Sequence, residues 1–333
     1  MIRLPVRASP TGPRETSHRS LWLQEALSVE DAELARRERL HGKERADVCV
    51  LGGGYTGLWT ALFLKEREPD VDVVIVEADI CGGGASGRNG GFALSWWSKL
   101  GALVEVCGEE DGLWLAERSE EAVRHIGSFC AEHGIEADFR PAGWLWVATS
   151  PAQLGTWEAT VEETETRGRA IFERLSGAEA QRRGGSSAYL GGVFDPTAAR
   201  VHPALLARGM RRVALQRGVR IFEDSAVTAV DGQVPLIVRT RAGTVHAPRV
   251  VSALNAWTTG LPPFHGLRRA IVPVVSDIVA TAPEPQLLAA TGWTGGECVS
   301  DSRLLVHYHR TTTDGRIVLG RGVRLRPRRS VRR

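Results

Sequence analysis

Nowhere in this 333-residue chain is there an apolar run near the roughly 20 residues that cross a bilayer, which argues against a membrane-spanning helix. Residues 1–19 are polar and proline-rich and lack the apolar core of a secretory signal. Cysteine is scarce. The five residues Cys49, Cys81, Cys107, Cys130 and Cys298 are odd in number and scattered, and they form neither a disulfide framework nor a metal-binding spacing. A reducing cytoplasm is the simple inference. Cys49 reads as packed inside a strand, and none of the five reads as a nucleophile. Acids are missing from Arg321 onward, where seven arginines stand, and the formal net charge of +3 becomes −4 without those seven. The body of the chain is therefore mildly acidic. The basic end has no aromatic residue and no repeat, so contact with nucleic acid or membrane ranks below a disordered or accidental end.

What is present is concentrated between Asp47 and Glu77. Val48, Cys49, Val50 and Leu51 form a short apolar run, as expected of a strand buried on both faces. Gly52, Gly54 and Gly57 then fit G-x-G-x-x-G. The first glycine suits a tight turn, the second lets backbone approach a pyrophosphate, and the third lets a helix pack closely on the strand. The helix N-terminus offers amide hydrogens and partial positive charge to phosphates. Leu58, Ala61, Leu62 and Leu64 give the helix an apolar face. Val71 to Val76 reads as a second strand, and Glu77 follows where an acid accepts hydrogen bonds from ribose hydroxyls. A glycine pattern alone can be an ordinary loop. With strand, helix, strand and acid in register, it predicts a dinucleotide site.

The next run is Cys81-Gly82-Gly83-Gly84-Ala85-Ser86-Gly87-Arg88-Asn89-Gly90-Gly91-Phe92. It has the period of neither helix nor strand, and it can lie against a large planar ligand and offer many backbone amides. An NAD enzyme has no obvious need for it directly after the ribose acid. With GGGYTGLWTALFLKE, VVIVEADICGGGASGRNGG and the later RVVSALNAWT, the chain resembles the FAD-dependent amine and D-amino-acid oxidoreductases of the DAO family, in the branch of gamma-glutamylputrescine oxidase-like enzymes. The likeness runs more diffusely from Ser20-Leu21-Trp22-Leu23 to about Gly322.

The resemblance implies an α/β fold. A Rossmann-like FAD-binding domain of the glutathione-reductase type would be interleaved with an α+β substrate domain built on a mostly antiparallel sheet. It implies that Gly52, Gly54, Tyr55, Thr56 and Gly57 hold the pyrophosphate, and that Glu77 binds the adenosine ribose with Ala78 beside it. Gly84, Ala85, Ser86, Arg88, Asn89, Gly90 and Gly91 would line the pyrophosphate, ribityl chain and flavin ring. Val227 would touch the adenine, and Asn255 and Ala256 would lie near the flavin, although Asn255 taken alone reads equally well as a turn residue. Family members with covalent flavin at this loop place a histidine there. None stands between Glu77 and Trp97, which implies non-covalent FAD.

The expected domains are an N-terminal arm (1–46), an FAD-binding domain (47–95 and 190–260), a helical region and substrate domain (96–189 and 261–322), and a basic tail (323–333). Glu109 to His133 reads as helical, and Pro151 to Arg183 as a helical region with turns near Gly168 and Gly177. Phe139 to Thr149 reads as strand with a glycine break, in which Trp144 and Trp146 share a face. Core packing is the first reading of that pair and a substrate-facing role the second. Pro203 suits the first residue of a helix to about Gln216, with Gly218 as its cap. Val219 to Phe222 and Arg249 to Leu254 read as strands, and Val234 to Val245 as a hairpin. Ile271 to Thr281 and Leu304 to Arg310 are further strand candidates. In the last, His307 and His309 share a face, but no third ligand is spaced for a metal, so satisfied or solvent-facing histidines are the default. Tyr308 is a substrate-site candidate by resemblance only, and the residues point to no catalytic group.

The implied chemistry is oxidation of a C–N bond in an amine or amino acid. A hydride passes to flavin, the imine hydrolyses, and oxygen or another acceptor takes the electrons. Family members are longer, with another glycine-rich segment near the end. The change to VRLRPRRSVRR after Gly322 therefore points to a truncated or frame-shifted reading of a longer gene, with a natural basic end as the alternative. Under the first reading flavin affinity falls, catalysis is lost, and exposed apolar surface lowers solubility. An NAD(P)-dependent dehydrogenase and a non-catalytic nucleotide-binding remnant stay open as other functions.

Overall fold

The computed structural model describes residues 19–325 apart from positions 294 and 304. The chain divides into two compact units, one made of Met1–Arg88 with Ala207–Val272, the other of Asn89–Leu206 with Pro273–Arg333.

In the first unit, the strands Arg249–Ser252, Val48–Leu51, Val73–Val76 and Arg220–Phe222 lie side by side in that order, all parallel. Val48–Leu51 and Val73–Val76 are buried along their whole length, which is why both read as unbroken apolar runs rather than alternating ones. Helix Tyr55–Arg67 connects these two and buries Gly57, Leu58, Ala61 and Leu62. Parallel pairing brings the C-terminal ends of all four strands to one edge, where open α/β sheets bind ligands. A second sheet joins Gly42–Arg45, Gly243–Ala247, Leu236–Arg239 and Ala229–Asp231, its first pair parallel and the others antiparallel. Val238, Val245 and Ala247 of this sheet share a core with Cys49, Leu51, Val74 and Val76.

In the second unit, seven strands follow the order Val274–Ala280, Ile317–Leu325, His307–Thr311, Cys298–Asp301, Trp144–Ala148, Gly191–Asp195, Glu173–Ser176. Only the pair Cys298–Asp301 and Trp144–Ala148 is parallel; the rest are antiparallel. The 24-residue helix Glu109–Glu132 buries Ala116, Val123 and Phe129. No helix among the described residues is long and apolar enough to cross a membrane.

Three expectations need correction. Pro151 to Arg183 is not wholly helical, because Glu173–Ser176 is a strand at the edge of the seven-stranded sheet. The strand in FRPAGWLWVAT starts only at Trp144, after Gly143 turns with φ +77°. Gly322 marks no structural boundary, since Ile317–Leu325 runs through it and pairs Leu325 with Val274. Of the basic tail, residues 326–333 lie outside the described residues.

Candidate cofactor site

Strand Val48–Leu51 runs directly into Gly52, whose φ of +104° favours glycine. A Cβ there would come within 2.7 Å of the Ala253 carbonyl oxygen. A Cβ on Gly57 would overlap the Gly52 carbonyl oxygen, so the helix lies this close only because Gly57 is bare. Gly54 is the N-cap of that helix and contributes no side-chain cap. Thr56, in its first turn, is exposed. Ser86, 31 residues along the chain, accepts the Tyr55 amide hydrogen through Oγ at 2.9 Å. The glycine-rich run therefore folds back onto the start of the helix.

Glu77 stands at the end of the neighbouring strand. Its Oε2 accepts the Gly53 amide hydrogen at 2.7 Å and its Oε1 that of Asp79 at 2.9 Å. Burial raises its pKa above the ordinary carboxylate value; the two amide hydrogen bonds oppose that, and the charges of Asp79 and Glu223 add to it. Ala78 is exposed. The Ser225 amide donates to the Glu77 carbonyl at 2.8 Å, which sets Val227 two residues further on. Ala253 meets Gly52, and Asn255 and Ala256 follow directly in a short 3-10 helix, Asn255 with φ +48° as suits a turn.

Within the loop, Ala85–Gly87 makes a 3-10 turn, and the Arg88 Nε–H donates to the Gly83 carbonyl at 2.8 Å. Gly84 and Ala85 are exposed, and a Cβ on Gly84 would meet nothing within 4 Å. These residues fit a dinucleotide. They provide a helix start whose N-cap residue carries no side chain, a carboxylate at the next strand end, and open space over a glycine.

Asn89, Gly90 and Gly91 belong to the second unit. Asn89 Oδ1 accepts the Gly91 amide hydrogen at 2.8 Å, and the Gly91 carbonyl accepts that of Val201 at 2.8 Å. A Cβ on Gly90 would lie 2.8 Å from Tyr308 Cε2. The Tyr308 ring also covers Gly320 and meets Phe92 edge-on at 5.5 Å, and its hydroxyl lies 3.3 Å from Ser276 Oγ. Trp146, Ser300, Tyr308 and Gly320 are successive cross-strand partners, so they share one face of the sheet. Trp146 stacks on Trp144 at 5.5 Å, and their indole N–H groups donate to Ser302 Oγ and Ser300 Oγ. Trp144 is buried in the core, in keeping with the packing reading.

Sequence reasoning missed Arg310, which is 1% exposed and donates through Nη2 to the Val201 carbonyl at 3.0 Å beside Gly91. Its position two residues from Tyr308 on a strand was the available signal. His309 is satisfied rather than solvent-facing. Its Nε2 lies 2.7 Å from the Tyr189 hydroxyl, Trp293 packs edge-on against it, and burial lowers its pKa to about 4. Among the described residues, no group of three His, Cys, Asp or Glu is placed to hold a metal. Burial pushes the Cys49 thiol up to about 12, as for a cysteine packed in a strand.

The chain is 35% identical over 278 residues to the gamma-glutamylputrescine oxidoreductase of Escherichia coli, covering 83% of this chain and 64% of that protein. It is 31% identical over 282 residues to a probable oxidoreductase of Haemophilus influenzae, covering 83% and 65%. It thus spans just under two-thirds of the length of these relatives. The fold is similar to the crystal structure of glycine oxidase from Geobacillus kaustophilus, with a TM-score of 0.66 and 22% identity over 85% of this chain and 72% of that one. The sequence profile of the FAD dependent oxidoreductase (DAO) family matches residues 47–331, running past Gly322, where the sequence reading ended the likeness. The chain belongs to the FAD dependent oxidoreductase family.

Proposed function

We propose that this chain binds FAD non-covalently and oxidises the C–N bond of a small amine or amino acid. The observation that carries this reading is the closure of the Gly82–Arg88 run onto the helix start through Ser86 and Tyr55, with the Glu77 carboxylate beside it. A plain nicotinamide site does not call for such a loop. In this reading Gly52, Gly54, Tyr55, Thr56 and Gly57 hold the pyrophosphate, Glu77 with Ala78 takes the ribose, and Val227 faces the adenine. Gly84, Ala85, Ser86, Arg88, Asn89, Gly90 and Gly91, with Asn255 and Ala256, line the rest of the cofactor. Absence of a histidine in the loop favours a non-covalent link.

When bound, FAD supplies a two-electron acceptor for the hydride of the amine-bearing carbon, with oxygen or another acceptor reoxidising it. The protein orients and desolvates the reacting groups. Tyr308 offers an aromatic wall and a hydroxyl on the sheet face that meets Gly90. A substrate that arrives as the neutral amine needs no protein base, and the imine product hydrolyses in water. The name of the Escherichia coli relative favours an amine substrate, and the scattered cysteines favour the cytoplasm.

Purification with added FAD tests the reading. A yellow protein that bleaches anaerobically with one class among amines, D-amino acids and N-methyl amino acids is the expected result. A protein that stays colourless with FAD overturns it.

A further inference from the structure

Behind the glycine-rich loop lies a buried charge cluster that supplies none of the proposed cofactor contacts. Glu223 follows the strand Arg220–Phe222 and is fully buried. Its Oε1 accepts the Cys81 amide hydrogen at 2.7 Å and a hydrogen bond from Arg208 Nη1 at 2.9 Å. Its Oε2 accepts one from Arg211 Nη2 at 2.9 Å. Arg208 also donates to the Cys81 carbonyl at 3.3 Å and pairs with Glu30 at 2.8 Å, while Arg211 donates to the carbonyls of Leu34 and Arg36. Both arginines sit on helix Pro203–Gln216, three positions apart and so on one face.

A carboxylate this deeply buried persists only when its charge and lone pairs are met, and here two guanidinium groups and one amide meet them. The amide is the informative partner. Two salt bridges could join a helix to a strand anywhere. The third bond reaches the first residue of the loop, and Arg208 holds the carbonyl of the same residue. The backbone of Cys81 is gripped on both sides, directly before Gly82–Arg88.

We infer that Glu223, backed by Arg208 and Arg211, is a positioning residue for the FAD loop. It fixes the peptide at Cys81, and so the path of the backbone that reaches Ser86. Glu223 does not touch the cofactor itself. The inference rests on the proposed FAD site, and its test separates the two.

The variants are Glu223→Gln, which keeps an acceptor for the Cys81 amide, and Glu223→Met, which removes it. The first measurement is amide hydrogen exchange on the apoprotein. In Glu223→Met, exchange across Cys81–Arg88 quickens while Val48–Leu51 keeps its protection; Glu223→Gln stays closer to wild type. The second is FAD titration, in which Glu223→Met binds roughly tenfold more weakly or worse, the scale set by one lost charge-assisted hydrogen bond, and the visible flavin spectrum shifts. If Glu223→Met does not fold, Glu223→Asp, which keeps the charge for the two arginines and draws the acceptor back from Cys81 by one carbon, carries the test: faster exchange confined to Cys81–Arg88 supports the inference, and wild-type exchange there overturns it. Loop protection and FAD affinity equal to wild type in a folded Glu223→Met protein overturn the inference, as does faster exchange spread evenly over the unit. Failure of the wild-type chain to take up FAD sinks the cofactor reading, and the exchange measurement still decides the role of Glu223.

Discussion

Glu77 Oε2 accepts the Gly53 amide hydrogen at 2.7 Å, so the acid at the end of one strand is tied to the glycine turn at the end of its neighbour. Burial holds its pKa above the usual carboxylate value of 4.5. In the apoprotein the contribution of this group to stability is full below that value and is lost as pH rises through the raised one. Ribose hydroxyls donating to the carboxylate favour its charged form. If Glu77 takes the ribose as proposed, FAD binding should release a proton, and affinity should increase with pH across the same window. Titrations of FAD between about pH 4 and 8 check this, and Glu77→Gln should flatten the dependence.

Two glycines separate packing from ligand approach. Gly57→Ala places a methyl on the Gly52 carbonyl oxygen and should cost the apoprotein about 1–3 kcal/mol or more by chemical denaturation. Gly84→Ala enters open space and should change apoprotein stability by less than about 0.5 kcal/mol. Its FAD affinity should nevertheless fall. Unchanged affinity would remove Gly84 from the cofactor surface.

Tyr308→Phe keeps the ring between Gly90 and Gly320 and loses only the hydroxyl facing Ser276. Stability should stay within about 0.5 kcal/mol and the flavin spectrum should hold. In steady-state assays with the substrate found by bleaching, kcat/KM should drop. An unaltered kcat/KM makes Tyr308 a packing residue and no more.

His309 is buried neutral, with its pKa lowered from 6.5 to about 4. The unfolded chain takes up a proton below pH 6.5, and the folded one only near pH 4. Stability is thus complete above 6.5 and falls as pH drops through that interval, by on the order of 3 kcal/mol. Urea melts of wild type and His309→Gln between pH 4 and 7 should converge toward acid as this term disappears.

The parallel strands and the helix between them were legible because burial on both faces leaves an unbroken apolar run, and because Gly52 and Gly57 have steric duties that no other residue performs. Helix Pro203–Gln216 was legible at both ends, since proline suits a first turn and Gly218 the turn beyond. Glu173–Ser176 was not. A polar edge strand buries only Leu175 and owes its existence to pairing with Gly191–Asp195. Helix Leu21–Ser28 escaped notice although Ser20 is a standard N-cap, accepting the Leu23 amide hydrogen at 3.2 Å. The same hydroxyl donates to the Gly87 carbonyl 67 residues away, and Arg19 pairs with Asp79. Contacts of that separation leave no local pattern. Arg310 and Glu223 were hidden for a related reason, because charged side chains read as surface until their partners are known.

The bond from Cys81 to Glu223 spans 142 residues. At ribosomal rates of roughly 5–20 residues per second, the loop is made about 7–30 seconds before the carboxylate that grips it. The braces at Arg19 and Ser20 are already present when the loop emerges. During synthesis the loop is therefore first held from its N-terminal side alone, and its second anchor closes late. On the proposed role of Glu223, cofactor uptake by the growing chain waits for that closure.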